Sequence, residues 1–539
     1  MPALLQLDRL SFVLPDGRAL FSDLQFSFAP RRIGIVGDNG AGKSVLARLL
    51  AGQLMPSSGA VRRDGSLHYV AQELEPERYP SVAALAGMAP LLAALERIAA
   101  GSIDDADYAL VGERWDAHAR LRQALDAIDL RHVDAGTPTA SLSGGERQRI
   151  ALQGAWLSQA DWLVLDEPSN HLDAQQRARL VAQMARWPGG LLLVSHDRGL
   201  LQHVDDIVEL SSQGLRSYGG NYAAYAQQRA LEQAGFAAAL QAEKAGARRG
   251  QREAQQQMER QQKRVARGER DGREGNQSKL LLDARKESSQ DSQGKLRLRA
   301  QEAQQARQQK VSEASARCAP EVERLLLAPD SAVPNGKLIL ELRDLVLPYG
   351  QAQPVNLILS GPRRLAVTGD NGSGKSTLLR VIAGQLAAAS GDVRCHATVA
   401  WLDQHAGTRE GELSAVQRLQ ARNSVLPEGE LRTRLALLGI AGARATVPSR
   451  LLSGGERMKV ALAAELYAQA PPQLLLLDEP DNHLDLASLQ ALEQMLGQYA
   501  GALLVVSHDQ AFLQAINLDP EGLTLHKRQS SEKSHASCL

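Results

Sequence analysis

At 539 residues the chain exceeds what one hydrophobic core usually serves, so two large domains plus connecting material are expected. It is 44% hydrophobic and 23% charged, and its longest apolar runs, such as Leu474 to Leu477 and Ala502 to Val506, fall far short of a bilayer span, which argues against any integral membrane segment. Formal net charge is zero, yet residues 226–318 carry 20 Lys and Arg against 12 Asp and Glu, leaving 41 against 49 elsewhere, an asymmetry that points to a polyanionic partner for that stretch. Cys318, Cys395 and Cys538 are odd in number and lack CxxC spacing, which supports neither a disulfide framework nor a zinc site and fits a reducing cytoplasm. The start, MPALLQLDRLSF, has neither a basic n-region nor an apolar h-region, so no signal peptide is expected.

In chain order, Ile33–Val36 reads as a buried strand entering GDNGAGKS (Gly37 to Ser44), and VLARLLAGQL follows with Leu46, Leu49 and Leu50 at helix spacing. Gln72 comes next, then a segment around GSIDDADYALVGERWD. After it come LSGGE (Leu142 to Glu146), LVLDEP (Leu163 to Pro168), SHD (Ser195 to Asp197) and YGGNYAAY (Tyr218 to Tyr225). Residues 226–333 are rich in Gln, Arg, Ala and Glu and poor in apolar residues, which predicts long exposed helices. Gly268, Gly272 and Gly275 predict a helical hairpin with its turn near Gly268 to Ser278, presenting Arg267, Arg270, Arg273 and Lys279 at its tip.

The order then repeats. A strand, Leu365 to Val367, enters GDNGSGKS (Gly369 to Ser376), and Gln404, LSGGE (Leu452 to Glu456), LLLDEP (Leu475 to Pro480) and SHD (Ser507 to Asp509) follow. Lys375 lies 332 residues after Lys43, and Asp478 lies 312 after Asp166, so the chain is a duplicated domain rather than a short solenoid repeat. Gln72 to Ser143 spans 71 residues and Gln404 to Ser453 only 49, which places about 22 extra residues within roughly 85–125 of the first copy. The expected organisation is therefore domain 1 over 1–225, a basic helical linker over 226–333, domain 2 over 334–526 and a tail over 527–539.

In a GxxxxGK[ST] loop the glycines turn successive backbone N–H groups toward phosphates, and the following helix adds its positive end. Gly37, Asn39, Gly40 and Gly42, with Gly369, Asn371, Gly372 and Gly374, are the loop residues expected to do this. Lys43 and Lys375 would reach the β- and γ-phosphates, Ser44 and Ser376 would bind Mg²⁺, and Thr377 would add a phosphate contact that Val45 cannot. Asp166 and Asp478 end apolar strands where a carboxylate can hold the metal shell. Glu167 and Glu479, next in sequence, are placed to deprotonate an attacking water. A DE pair alone is more often a solvated strand end, and a lone His more often structural; here both recur in register with four further motifs.

With these motifs the chain resembles the ATP-binding cassette superfamily in both halves, LSGGE being that family's signature. The resemblance implies an α/β fold of two tandem P-loop ATPase domains, each with a helical subdomain, paired head to tail within one chain around two MgATP. Carried onto this chain, Lys43, Gln72, Asp166, Glu167 and His196 would share a nucleotide with Ser453, Gly454 and Gly455, and Lys375, Gln404, Asp478, Glu479 and His508 with Ser143, Gly144 and Gly145. The two histidines would contact the γ-phosphate, and the two glutamines the metal. Tyr349 matches the expected adenine-stacking aromatic; the first copy has Leu14 and Pro15 there, with Phe12 as a substitute. Ser169 and Asp481 depart from the usual Thr.

Within the superfamily the chain is similar to the ABC-F subfamily in its two cassettes, charged linker, YGGNYAAY and repeated NHLD. That likeness implies a monomeric, cytoplasmic, ribosome-associated ATPase whose linker meets rRNA and tRNA and whose insertion is a short arm. No nucleic-acid-binding tail is expected in the 31 residues after His508. The subunit of a separate membrane transporter and a DNA-maintenance ATPase stay open as alternatives.

Overall fold

The computed structural model describes residues 4–170, 172–211, 213–274, 298, 301–315, 331–403, 411–482, 484–519 and 521–526. Contacts divide the chain into two compact units, one formed by Met1–Tyr225 with Val322–Leu539 and the other by Ala226–Glu321.

In LQLDRLSFV the apolar residues alternate, so Leu5 and Leu7 share one buried face; β1 (Leu5–Val13) pairs antiparallel with β2 (Ala19–Phe28) and with β4 (Ser58–Arg63). A second sheet runs in the order β5 (Leu67–Val70), β6 (Trp162–Asp166), β7 (Gly190–Val194), β3 (Arg32–Val36), β8 (Asp206–Ser211), β9 (Gly214–Gly219), parallel except for the β8–β9 hairpin. WLVLD and GLLLV are buried at every residue because both faces are covered. Trp162, Val164, Leu192 and Val194 face α1 (Lys43–Leu50) and the antiparallel sheet, while Leu163, Leu165, Leu191 and Leu193 face the helical layer. That layer contains α2 (Val82–Leu85), α3 (Ala89–Ala99), α4 (Asp105–Val111), α5 (Ala117–Ala127), α6 (Gly144–Leu157) and α7 (Ala174–Arg186), with the single turn α8 (Arg198–Leu201) after β7.

After α9 (Tyr222–Glu274) and α10 (residues 301–315) the second copy repeats the plan. Its antiparallel sheet has the order β11 (Val355–Ser360), β10 (Leu338–Val346), β13 (Ser390–Cys395), and its parallel sheet β14 (Val399–Leu402), β15 (Leu474–Asp478), β16 (Ala502–Val506), β12 (Arg364–Gly369), β17 (Leu523–Leu525). The helices are α11 (Lys375–Ile382), α12 (Ala415–Arg422), α13 (Glu428–Leu437), α14 (Gly454–Leu466), α15 (Leu486–Gln498) and α16 (Gln510–Ala515).

The length difference between the copies falls between matching anchors, the isolated bridges Ser81–Pro138 and Ser414–Pro448. In the first copy α4 and its flanking loops are added there. α4 is tied back to α3 by Arg97, whose Nε donates to both Asp107 carboxylate oxygens at 3.1 Å, and Ser102 Oγ donates to the same carboxylate at 2.9 Å.

One expectation is corrected in the linker. α9 continues through Gly268 and Gly272 to Glu274, so the hairpin turn does not begin at Gly268. A lone glycine costs a helix only about 1 kcal/mol relative to Ala, too little to end one flanked by Arg and Glu. The rest of the expected turn, Gly275 to Ser278, lies outside the described residues, as does Lys279. The linker helices do pack on each other: a Cβ at Gly250 would stand 2.4 Å from the Arg307 guanidinium carbon.

Candidate nucleotide sites

Both P-loops are built as the glycine spacing requires. Gly42 and Gly374 cap α1 and α11 in the left-handed region, at φ 96° and 101°, which a side chain would resist. Lys43 Nζ donates to the carbonyls of Gly37 (2.8 Å) and Asp38 (3.0 Å), and Lys375 Nζ to those of Gly369 (2.7 Å) and Asp370 (3.1 Å), curling each loop around its lysine. Burial draws both lysines below their usual range, and the nearby carboxylates of Glu167 and Glu479 oppose that shift.

The strand ends deliver the acidic pair. Ser44 Oγ donates to Asp166 Oδ1 at 3.2 Å, and Tyr69 donates to the other oxygen at 3.2 Å. In the second copy the Ser376 side chain hydrogen-bonds the Asp478 carboxylate, whose Oδ1 is buried. Burial pushes Asp478 up to about 6. A serine hydroxyl beside a carboxylate is a hard oxygen pair of the kind Mg²⁺ takes alongside nucleotide phosphates, so both copies fit the ion. Glu167 and Glu479 are held at φ 48° and 49°, a conformation that non-glycine residues seldom adopt. Their N–H groups donate to Val194 and Val506 at 2.8 and 2.9 Å, so the strain is fixed by the neighbouring strand in both copies. Burial, reinforced by the Asp166 charge, pushes Glu167 up to about 8. His196 Nε2 lies 3.7 Å from Glu167 and His508 Nε2 3.9 Å from Glu479, and burial draws these imidazoles down to about 3 and 4, so both are neutral near pH 7.

A cavity of about 410 Å³ gathers Asn39, Gly40, Gly42, Lys43, Ser44, Gln72, Glu167 and His196. Its far wall comes from the second copy: Asp481, Asn482, Leu484, Leu489 and Asp509. The expected signature residues Ser453, Gly454 and Gly455 do not line it. Instead Asp481, Asn482 and Leu484 stand there, and Asp485 joins the copies, one oxygen capping α15 through Ser488 N–H at 2.8 Å and the other accepting Asn39 N–H at 2.7 Å. Burial acts to raise the Asp485 carboxyl, but a hydrogen bond from the Ser488 side chain, with those from the Asn39 and Ser488 N–H groups, holds it below the carboxylate range. Asp173 is the matching residue, capping α7 through Gln176 N–H at 2.9 Å and adding to the field on Lys375. Asp173 and Asp485 were not singled out from sequence, although each stands seven residues after a strand-end aspartate, Asp166 or Asp478.

Ser143 and Ser453 begin α6 and α14 with capping boxes, Glu146 and Glu456 returning bonds to the serine N–H at 2.8 Å in both. This accounts for the last letter of LSGGE. Asn371, Gly372, Ser376 and Thr377 lie in or just after the second P-loop, and Tyr349 stands beside it, 70% exposed with its carbonyl against Gly374. In the first copy the cavity wall is Leu14, Arg18 and Leu20; Phe12 packs against the sandwich core and does not reach the cavity. Gln404 lies outside the described residues.

Two strained glutamates after buried strands, each facing a histidine across from a lysine-filled glycine loop, define a tandem P-loop ATPase. Residues 21–170 and 352–482 match the family model described as "ABC transporter", and the chain belongs to the ATP-binding cassette family, in its ABC-F branch. Its relatives include the energy-dependent translational throttle protein EttA of Escherichia coli K12, 32% identical over 94% of this chain and 90% of the relative. EttA of Mycobacterium tuberculosis H37Rv is 31% identical over 92% and 87%. An archaeal ribosome recycling factor, aABCE1, solved with the stalk protein aP1, shares the fold at a TM-score of 0.55 and 19% identity, over 96% of this chain and 89% of that one. The protein is an ATPase. Among the described residues no helix is long and apolar enough to cross a membrane.

Proposed function

We propose that this protein binds two MgATP between its cassettes, hydrolyses them, and uses the closed state to engage the ribosome through its basic linker in the cytoplasm. Gly37 to Ser44 and Gly369 to Ser376 hold the phosphates, with Lys43 and Lys375 on the β- and γ-groups. Ser44, Gln72 and Asp166, and Ser376, Gln404 and Asp478, hold Mg²⁺, which neutralises charge building on the phosphate oxygens. Glu167 and Glu479 each accept a proton from a water as its oxygen bonds to the γ-phosphorus and the bond to the β–γ bridging oxygen breaks. His196 and His508, neutral, donate to the γ-phosphate. Ser143 to Gly145 and Ser453 to Gly455 complete the sites from the opposite cassette when nucleotide enters, and Tyr349 stacks on adenine in the second. One chain suffices, since both halves are present.

The observation that carries the ribosome reading is the likeness to translational throttle proteins over more than nine-tenths of the chain, linker included. The linker's surplus of eight positive charges over residues 226–318 supports it, because Lys and Arg contact rRNA and tRNA phosphates without reading sequence. We take residues 226–333 as that linker, between cassettes at 1–225 and 334–526. Sucrose-gradient sedimentation of a Glu167→Gln, Glu479→Gln variant with ribosomes tests the reading. ATP-dependent comigration that is lost at high salt supports it. Retention at the gradient top despite ATP binding contradicts it and turns attention to membranes or DNA.

A further inference from the structure

α8 follows directly on Ser195–Asp197, and its first residue reaches out of the first cassette. Arg198 Nη1 and Nη2 lie 2.7 and 3.4 Å from the two carboxylate oxygens of Glu493 on α15, with the side chains only 10% and 12% exposed. The same guanidinium sits 5.9 Å from the ring centroid of Tyr222, the first residue of α9. The end of α8 holds that turn as well: Asn221 Nδ2 donates to the Gln202 carbonyl at 3.4 Å, while Asn221 Oδ1 accepts Ala224 N–H at 3.3 Å. Tyr225 then packs edge-on against Tyr218 of β9, with centroids 5.0 Å apart.

The ion pair occurs on one side only. By the offset of 312 that relates the cassettes, Arg198 of the first corresponds to Gln510 of the second and Glu493 of the second to Val181 of the first, so the counterpart pair carries neither charge. The pair stands where α9 departs. Because its members belong to different cassettes, it exists only where the cassettes meet. A buried guanidinium deprived of its carboxylate is strongly disfavoured, so withdrawal of α15 must turn Arg198 toward water and away from Tyr222.

We propose that α8 is the joint through which the meeting of the two cassettes is passed to the linker: docking of Glu493 on Arg198 orders the first turn of α9, and separation releases it. Arg198 and Tyr222 are positioning residues and contact no substrate. The proposal rests on the reading that ATP brings the cassettes together.

Amide hydrogen exchange on the full-length Glu167→Gln, Glu479→Gln protein, with and without MgATP, tests both and tells them apart. ATP is expected to slow exchange across Tyr218–Tyr225 by about tenfold or more, together with the two P-loops. Added in that background, Glu493→Gln or Tyr222→Leu keeps the P-loop response, which also reports folding, and loses the response at Tyr218–Tyr225. Tyr222→Phe keeps both, since the ring is what covers the guanidinium. An undiminished Tyr218–Tyr225 response in both Glu493→Gln and Tyr222→Leu overturns the joint. Absence of P-loop protection in the parent overturns the closure reading and the joint with it.

Discussion

Glu167 and Glu479 owe their placement to backbone strain that the following strand enforces, and burial beside Asp166 raises the Glu167 carboxyl further. Replacing both by Gln keeps shape and removes the base, so kcat for ATP should fall by at least about 10²-fold while the ATP dissociation constant changes little; a phosphate-release assay beside equilibrium binding checks this. Asp485 does two jobs that substitution separates. Asp485→Ala should cost about 1 kcal/mol of stability through the lost helix cap and also slow ATP turnover, whereas Asp485→Asn should keep the cap and slow turnover alone. Thermal melts and turnover assays on both variants distinguish them. His68 is drawn down to about 4 by burial, so it stays neutral in the folded protein while the unfolded chain protonates below about 6.5. Between those values the unfolded state binds more protons, so stability falls as pH falls, by up to about 1.4 kcal/mol per unit. On going from pH 7 to 5 the parent should therefore lose Tm relative to His68→Gln; parallel curves would exclude the effect.

At the scale of elements, the strands, P-loops and helix starts were legible because each depends on local spacing: apolar runs before LDEP and SHD, glycines before Lys43 and Lys375. The end of α9 was not, because glycine marks a helix break only where neighbours favour one, and the residues around Gly268 and Gly272 favour helix. Nor was the first cavity wall. Phe12 has the right chemistry near the right position, but the β1 register turns it toward the sandwich, leaving Leu14, Arg18 and Leu20. The α3–α4 insertion is held by Asp107 and lies apart from the residues assigned to nucleotide. Asp107→Ala should therefore speed proteolytic cleavage within residues 100–112 and leave ATP turnover within about twofold, since the change is confined to one hairpin. Unchanged cleavage would show that the staple holds nothing.

At the scale of the molecule, duplication announced two complete sets of site residues, but not which surfaces meet. That depends on contacts hundreds of residues apart, such as Asp485 with Asn39 and Arg198 with Glu493. The cassettes are not interchangeable across this interface: Arg177 and Arg198 come from the first, Asp481 and Glu493 from the second, where the offset partners are Leu489, Gln510, Ser169 and Val181. Such charges favour pairing within one chain over pairing of like cassettes from two chains, since the latter would bury cations against apolar or neutral residues. Native mass spectrometry of the Glu167→Gln, Glu479→Gln protein in MgATP tests this most directly. A single chain retaining two ATP is the predicted particle; a two-chain particle, or one nucleotide per chain, would contradict the account.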